Sequence, residues 1–230
     1  MPAGIDIVVP VLNEVASIDE VHARVERLGL ADSLIFVDNG STDGTLDRLA
    51  RHPEVRVIRH AANLGYGTSL CDGIAAGTGE RVVIIDADLE YPPEGIPALL
   101  AALERSPVVY CSRFCGGPPV AMPRARRFGN RLLSRGYNLL FHQRITDLYT
   151  GMKGLRRSAL DLSGMRRAGF EHCVEIAALI AHSGLRIDEI AVEYRASRHG
   201  RSKMRHVRET LKLLFYLALY RIRGRTPTTS

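Results

Sequence analysis

The stretch VVIIDADLEYPPEG, residues 82–95, runs four apolar β-formers straight into two aspartates and a glutamate at alternate positions, Asp86, Asp88 and Glu90. Four residues of Val and Ile bounded by polar and proline-rich chain read as a buried strand. In an extended DxDxE the three carboxylates fall on one face, and a turn beginning at the strand end also gathers them. Left unpaired they repel, raise one another's pKa and require a cation. A hard, oxygen-seeking divalent ion, Mg²⁺ or Mn²⁺, shared with phosphate oxygens meets that requirement. The plainer alternative is a solvated acidic loop, with Glu94 behind Pro92 and Pro93 in the first turn of the next helix.

The same strand-then-polar-turn pattern precedes this stretch three times. IDIVVPVL (5–12) leads into SIDEVHARVERLGL (17–30), which has helical spacing behind an N-capping Ser17 with Glu20 three residues on. An apolar strand at 33–37 enters a turn rich in Asp, Asn, Gly and Ser before the helical LDRLA (46–50). VRVIRH (55–60) is a third strand, followed by the loop ANLGYG and a helix over 68–76. Strands alternating with short helices predict a mainly parallel α/β sheet covered on both faces, with ligands collecting beyond the carboxyl ends of the strands. The polar strand ends at 10–14, 38–43, 63–67 and 86–90 are therefore expected to converge on one site.

Downstream, VVYCSRF (108–114) reads as another strand and 124–141 as an arginine-rich helix. HCVEIAALIAHSG reads as a helix, LRIDEIAVEYRA as a strand pair or one long strand, and 207–220 as an amphipathic helix. A chain of 230 residues with no Pro/Gly/Ser linker is expected to form a single domain over 1–230, with the last helix at about 205–222 and a disordered tail. The net charge of +6 comes largely from PRARRFGNRLLSRG and RASRHGRSKMRHVR, so an acidic partner is expected: nucleic acid, anionic lipid or a phosphorylated small molecule. Four cysteines without a CxxC pair point to reduced thiols in a cytoplasmic protein, and the N-terminus does not read as a signal peptide. The longest apolar run, LKLLFYLALY, is too short to span a bilayer.

PVLNE, VDNGSTDGT, NLGYG and DADLEYPPEG, in that order, resemble the family 2 glycosyltransferases of the GT-A fold, most like the dolichyl-phosphate mannose synthase and polyprenyl-phosphate branch. The likeness continues through CSRF, RFGNRLLSRGYNLLF, TDLYTGMKGLRRSAL and HGRSKM. It implies an inverting transfer of sugar from a nucleotide-sugar donor. Donor contacts are implied at Pro10, Asn13, Glu14, Asp38, Asn63, Gly65, Asp86 and Ala87, and from the late basic loop at Arg198 and Lys203. The metal falls to Asp86 and Asp88, with Glu90, where mannose synthases often have glutamine, making the site more anionic. Asn39 stands where the family often has a second aspartate, so the base stays open between uracil and guanine.

The resemblance further implies Arg113 as a fixed cation for the leaving diphosphate, and Arg131 or Arg127 as the grip on an acceptor phosphate. A lipid phosphate is already anionic and requires no general base, whereas a hydroxyl acceptor requires one, for which Asp147 and Glu175 are the candidates. Thr150, Gly151 and Met152 replace the branch's usual SGF, so a soluble hydroxyl acceptor remains an alternative. The segment HVRETLKLLFYLALYRIRGR suits either a membrane interface or packing on the core or a second subunit. A nucleic-acid-binding protein is the rival of another class, but three carboxylates in a basic groove would repel that ligand. A nucleotidyltransferase would want a glycine-rich, lysine-bearing loop where PVLNE stands.

Overall fold

The computed structural model describes residues 4–117, 119, 122–159, 161, 162, 165, 169, 171–195 and 206–223. In chain order the elements are β1 (Ile5–Val11), α1 (Ile18–Glu26), β2 (Leu34–Asp38), α2 (Thr45–Leu49), β3 (Arg56–Arg59), α3 (Tyr66–Ala76) and β4 (Arg81–Ile84). There follow α4 (Ile96–Leu103), β5 (Val108–Ser112), α5 (Arg124–Phe141), β6 (Lys153–Arg156), α6 (His172–His182), β7 (Asp188–Ala191) and α7 (His206–Arg223). The strands form one seven-stranded sheet in the order β3-β2-β1-β4-β6-β5-β7. β1 pairs in parallel with β2 and β4, β2 with β3, and β5 with β7, while β6 runs antiparallel to both β4 and β5. This is the mixed, mainly parallel α/β sheet that the sequence predicts.

Strict alternation explains why both faces are covered. Ile7, Val9, Phe36, Val83 and Ile85 pack on one face with Val21 and Val25 of α1 and Leu99 of α4. Val8, Ile35, Val37, Val82 and Ile84 pack on the other with Leu70 of α3, Tyr137 of α5, Ile176 of α6 and Leu213 of α7. Near-continuous apolar strands are what a sheet buried on both sides requires. Each such side chain withdrawn from water contributes about 1.5–3 kcal/mol. The pairings Val8↔Ile35 and Val8↔Ile84 bring β1, β2 and β4 to a common end, so the turns that follow them open on one edge.

Three elements differ from the sequence reading. Ser17 does not cap α1: it has helical dihedrals, and its hydroxyl turns back onto the carbonyl of Glu14 at 3.1 Å. Glu20, freed from a capping box, pairs with Arg24 one turn on. β6 escapes a hydrophobic pattern because it reads KGLR; Lys153 is nonetheless buried and Arg156 Nε donates to Leu103 O at 2.8 Å. Of the long strand or strand pair expected at 185–196, the described residues form only the four-residue edge strand β7. Beyond it Val192 N still donates to Ser112 O of β5 at 3.1 Å, and Arg195 N donates to Glu90 O at 3.0 Å. The four cysteines are free thiols, as expected. The predicted disordered tail lies outside the described residues.

Candidate functional site

The alternation of β4 continues past its end and sorts the acidic stretch. Ala87, 3% exposed, keeps its methyl in the core beside Tyr91, so Asp86 and Asp88 emerge together on the opposite side. Ala87 is thus a spacer between two carboxylates, and the donor contact expected of it does not come from its side chain. Asp86 accepts a hydrogen bond from the Tyr66 hydroxyl at the start of α3. Tyr66 in turn stacks on His172 of α6, centroids 4.5 Å apart. Burial, aided by Lys153, lowers the His172 imidazole to about 4, so this ring is neutral at pH 7.

The third carboxylate does not join the first two. Both Glu90 oxygens are held by Arg126 of α5, at 2.9 and 2.8 Å, and the Tyr194 hydroxyl donates to one of them at 3.3 Å. A bidentate guanidinium is a strong competitor for a carboxylate, so Glu90 is withdrawn from the metal set that DxDxE suggested. Its pair with Arg126 instead straps the first turn of α5 to the acidic loop. Among the described residues neither Asp86 nor Asp88 has a salt bridge; Asp88 accepts only from the Glu90 amide, at 3.0 Å. Burial, then repulsion from Asp86 and Glu90, pushes Asp88 up to about 7. Burial likewise raises Asp86, opposed in part by Tyr66, Lys153 and His172.

Gly151 makes the close approach possible. A Cβ there would lie 2.0 Å from Asp86 Oδ2 and 2.9 Å from the Tyr91 ring. Gly151→Ala is therefore expected to push Asp86 aside and lower kcat/KM by about a hundredfold, the scale of an ångström-sized misplacement. Wild-type turnover by that variant, measured beside its Tm, would show that the Asp86 position is irrelevant.

The neighbouring loops lock onto one another. Asn13, in the left-handed region at φ 58°, accepts from Thr42 N at 2.8 Å, and its own amide donates to Ser41 Oγ at 2.9 Å. Glu14 N donates to Thr45 Oγ1 at 3.0 Å. Asn39 bridges to Asn63 at 2.9 Å and contacts His60 Nδ1 at 3.1 Å, and His60 Nε2 meets Asp72 at 2.9 Å. Gly40, at φ +80°, lets this turn approach the Ala62 backbone, 2.7 Å from where a Cβ would sit. Asn63 also accepts from Gly65 N at the start of α3. Asn13 and Asn63 are exposed, and Glu14 and Gly65 half-buried.

Two expected donor contacts are placed otherwise. Pro10 is a buried residue of β1, beyond the last β4 pairing, where its missing N–H leaves no rung unmade. Asp38 is fully buried, and its carboxylate accepts from Ser41 N at 3.3 Å. In this arrangement it props the turn from inside.

The basic residues divide in the same way. Arg113, at the end of β5, is 5% exposed and gives Nε and Nη2 to Asp147 at 2.7 and 2.8 Å, with a further bond to Tyr149 O. Asp147 is wholly buried, with both oxygens on Arg113 and one also on the Arg113 amide. The structure therefore turns an expected phosphate-gripping arginine and an expected general base into each other's partners. Glu189 of β7 holds the same loop through Thr146 N and Asp147 N. Glu175 is buried on α6. Arg127 and Arg131 lie one turn apart on α5, half-buried and exposed, with no carboxylate partner among the described residues. Arg131 lines a hollow of about 270 Å³ with Phe114, Ser134, Arg135, Ile145 and Thr146. Arg198 and Lys203 lie outside the described residues.

Tyr66, Arg126 and Lys153 were not singled out by sequence. Tyr66 sits inside the quoted NLGYG, and Lys153 two residues past Gly151, but neither spacing reveals that the Tyr66 hydroxyl binds Asp86 or that the Lys153 charge bears on it.

Comparison with known proteins bears on the family and the fold. The family described as "Glycosyl transferase family 2" matches residues 6–163. The chain is 27% identical over 214 residues to the dolichol-phosphate mannosyltransferase of Pyrococcus furiosus, which covers 87% of this chain and 59% of that protein. It thus spans less than two thirds of that relative's length. To the undecaprenyl-phosphate mannosyltransferase of Micrococcus luteus it is 28% identical over 208 residues, 86% of each chain. Among solved structures, glucosyl-3-phosphoglycerate synthase from Mycobacterium tuberculosis in complex with Mn²⁺ and UDP-glucose superposes with a TM-score of 0.72 at 25% identity, covering 99% of this chain and 81% of that one. With a family match over well more than half of its residues, on a sheet whose carboxyl edge carries the paired aspartates, the chain belongs to glycosyl transferase family 2.

Proposed function

We propose that this protein transfers a hexose from a UDP- or GDP-sugar to the phosphate of a polyprenyl lipid, with inversion at the anomeric carbon and a divalent cation, Mg²⁺ or Mn²⁺, held by Asp86 and Asp88. The observation that carries it is that aspartate pair: two carboxylates facing the carboxyl edge of the sheet, without a salt bridge among the described residues and raised chiefly by burial, with repulsion from Asp86 and Glu90 adding at Asp88. Hard oxygen donors in charge excess fit such an ion. When bound, it neutralises charge growing on the departing diphosphate. Asn13, Glu14, Asn63 and Gly65 take the nucleoside side, and Arg127 and Arg131 the acceptor phosphate, whose existing charge removes any need for a general base. Arg113 and Asp147 act as positioning residues for the loop that carries Gly151. The two mannosyltransferase relatives, named for dolichol and undecaprenyl phosphate, support this acceptor class.

A metal competes with protons for these carboxylates. Because the Asp88 carboxyl is pushed up to about 7, Mn²⁺ affinity is expected to rise between pH 6 and 8 and level off above. Calorimetry across that range checks it, and a flat profile counts against Asp88 as a ligand.

The fold also supports contact with a membrane surface. α7 gives Leu213 and Leu217 to the core but leaves Leu211, Phe215 and Ile222 outward, at 61%, 64% and 83% exposed. α5 adds Phe128 and Leu139 beside its arginines, and basic residues interleaved with apolar ones suit an anionic lipid interface. No helix of the described residues is long and apolar enough to cross a bilayer. Phe215→Ser with Ile222→Ser is expected to weaken partition onto anionic vesicles by about tenfold or more. Unchanged partition would remove α7 from the interface.

A second reading keeps the donor and moves the acceptor to a water-soluble phosphorylated hydroxyl compound, favoured by the superposition on glucosyl-3-phosphoglycerate synthase. Radiolabelled donors offered with vesicles containing undecaprenyl phosphate, and separately with phosphoglycerate, decide between them. Label in the lipid supports the proposal; label only in the soluble product replaces it. Absence of any Mn²⁺-dependent thermal shift with UDP or GDP would overturn both.

A further inference from the structure

At the edge where the strands begin, His22 of α1 meets His52 and Glu54 of the connection between α2 and β3. One donor atom from each of the three lies within 4.8 Å of the others. The His22 side chain is 6% exposed, and its buried Nε2 lies 2.5 Å from Glu54 Oε1. The His52 ring stacks on it, centroids 3.9 Å apart and 25° from parallel, with Nδ1 3.7 Å from the same Glu54 oxygen.

The other nitrogen of His52 is already committed. Nε2 lies 3.2 Å from Asp19 Oδ1, and Asp19 is itself held by Arg48 at 2.7 Å. A carboxylate on the far nitrogen of an imidazole fixes its tautomer and orients its near nitrogen toward a metal, an arrangement typical of histidine ligands. A plain ion pair between His22 and Glu54 leaves unexplained the carboxylate–histidine relay on the stacked His52, whose near nitrogen is turned to the same Glu54 oxygen.

We propose that His22 Nε2, His52 Nδ1 and Glu54 Oε1 form a binding site for a borderline transition metal, Zn²⁺ foremost, with Asp19 as the support of His52. Two imidazoles and one carboxylate suit Zn²⁺, with water as a fourth ligand, and select against Mg²⁺. The site belongs to different elements from Asp86 and Asp88, which follow β4, whereas Glu54 precedes β3. It would pin α1 to the turn that starts the edge strand, and it stands independently of the sugar-transfer proposal.

Zn²⁺ is titrated calorimetrically into untagged, chelator-stripped full-length protein with excess Mg²⁺ occupying hard-oxygen sites, and Co²⁺ absorption reports the ligand set. One Zn²⁺ per chain is expected, with a rise in Tm. Glu54→Gln and His52→Gln should each weaken it at least a hundredfold, and Asp19→Asn about 10- to 100-fold while leaving the metal-free Tm within a degree or two. Asp88→Asn should leave the Zn²⁺ stoichiometry at one. Glu54 and His52 are more exposed than His22, so their variants test the site without disturbing the α1 core. Zn²⁺ binding that survives both Gln variants, disappears with Asp88→Asn, or is displaced by millimolar Mg²⁺ overturns the proposal, as does failure to bind 0.1 mM Zn²⁺.

Discussion

Asp88→Asn is expected to lower the kcat/KM of sugar transfer by about a thousandfold while leaving the fold intact or more stable. The two halves have one cause. Asp88 sits beside Asp86 and Glu90, and burial together with their repulsion pushes its carboxyl up to about 7. A carboxyl whose folded pKa exceeds its unfolded one destabilises the protein as pH rises between those values, because the folded state binds the extra proton. At pH 8 the metal-free protein therefore carries an unfavourable charge, and asparagine removes it while still accepting the Glu90 amide bond. The thermal midpoint in chelator should rise or stay constant. Transfer depends on the charge itself, since stabilising a developing diphosphate is worth several kcal/mol and each 1.4 kcal/mol is tenfold in rate. The Mn²⁺-dependent shift with nucleoside diphosphate should vanish in the same variant. Full-speed transfer by Asp88→Asn in chelator would remove the metal from the proposed function.

How far the sequence revealed this site depends on the range of the forces involved. Asp86 and Asp88 were legible because strand alternation is local: once 82–85 is a buried strand, the next side chains have assigned faces. The meeting of the four loops was legible because parallel strands share a carboxyl edge. The pairing of Glu90 was not legible because its partner, Arg126, lies 36 residues on, within an arginine-rich helix whose charge pointed only to some acidic partner. Nothing local distinguishes Arg126 from Arg127, and only the rotation of α5 against the acidic loop separates them. β6 was missed because it buries a lysine whose ammonium finds Thr150 O and the Tyr110 ring, contacts that no hydropathy pattern encodes. Ser17 looked like a cap by composition, but Glu14 O offered its hydroxyl a nearer partner.

Asp147→Ala is expected to destabilise the protein by about 3–5 kcal/mol, because it strands the Arg113 guanidinium, with its side chain 2% exposed, without a counter-charge. If Asp147 acted as a general base, its replacement would chiefly lower kcat and reshape the pH profile. Its geometry argues for position instead, since Arg113 takes both oxygens and Tyr149 O besides, tying the end of β5 to the loop that delivers Gly151 against Asp86. Arg113 also lies over the Tyr91 and Tyr194 rings, 5.4 and 5.8 Å from their centroids, so the pair joins three segments around the acidic loop. Arg113→Met combined with Asp147→Leu removes both charges and should recover much of the lost stability, as apolar replacement of buried pairs does elsewhere. Transfer should not recover with it, because the hydrogen bonds that set the 146–151 loop are gone. Urea midpoints and kcat/KM for the two single variants and the double variant separate these contributions. Stability at the wild-type level in Asp147→Ala, with a lost limb in the pH–rate profile, would return Asp147 to the role of base and place the acceptor beside it.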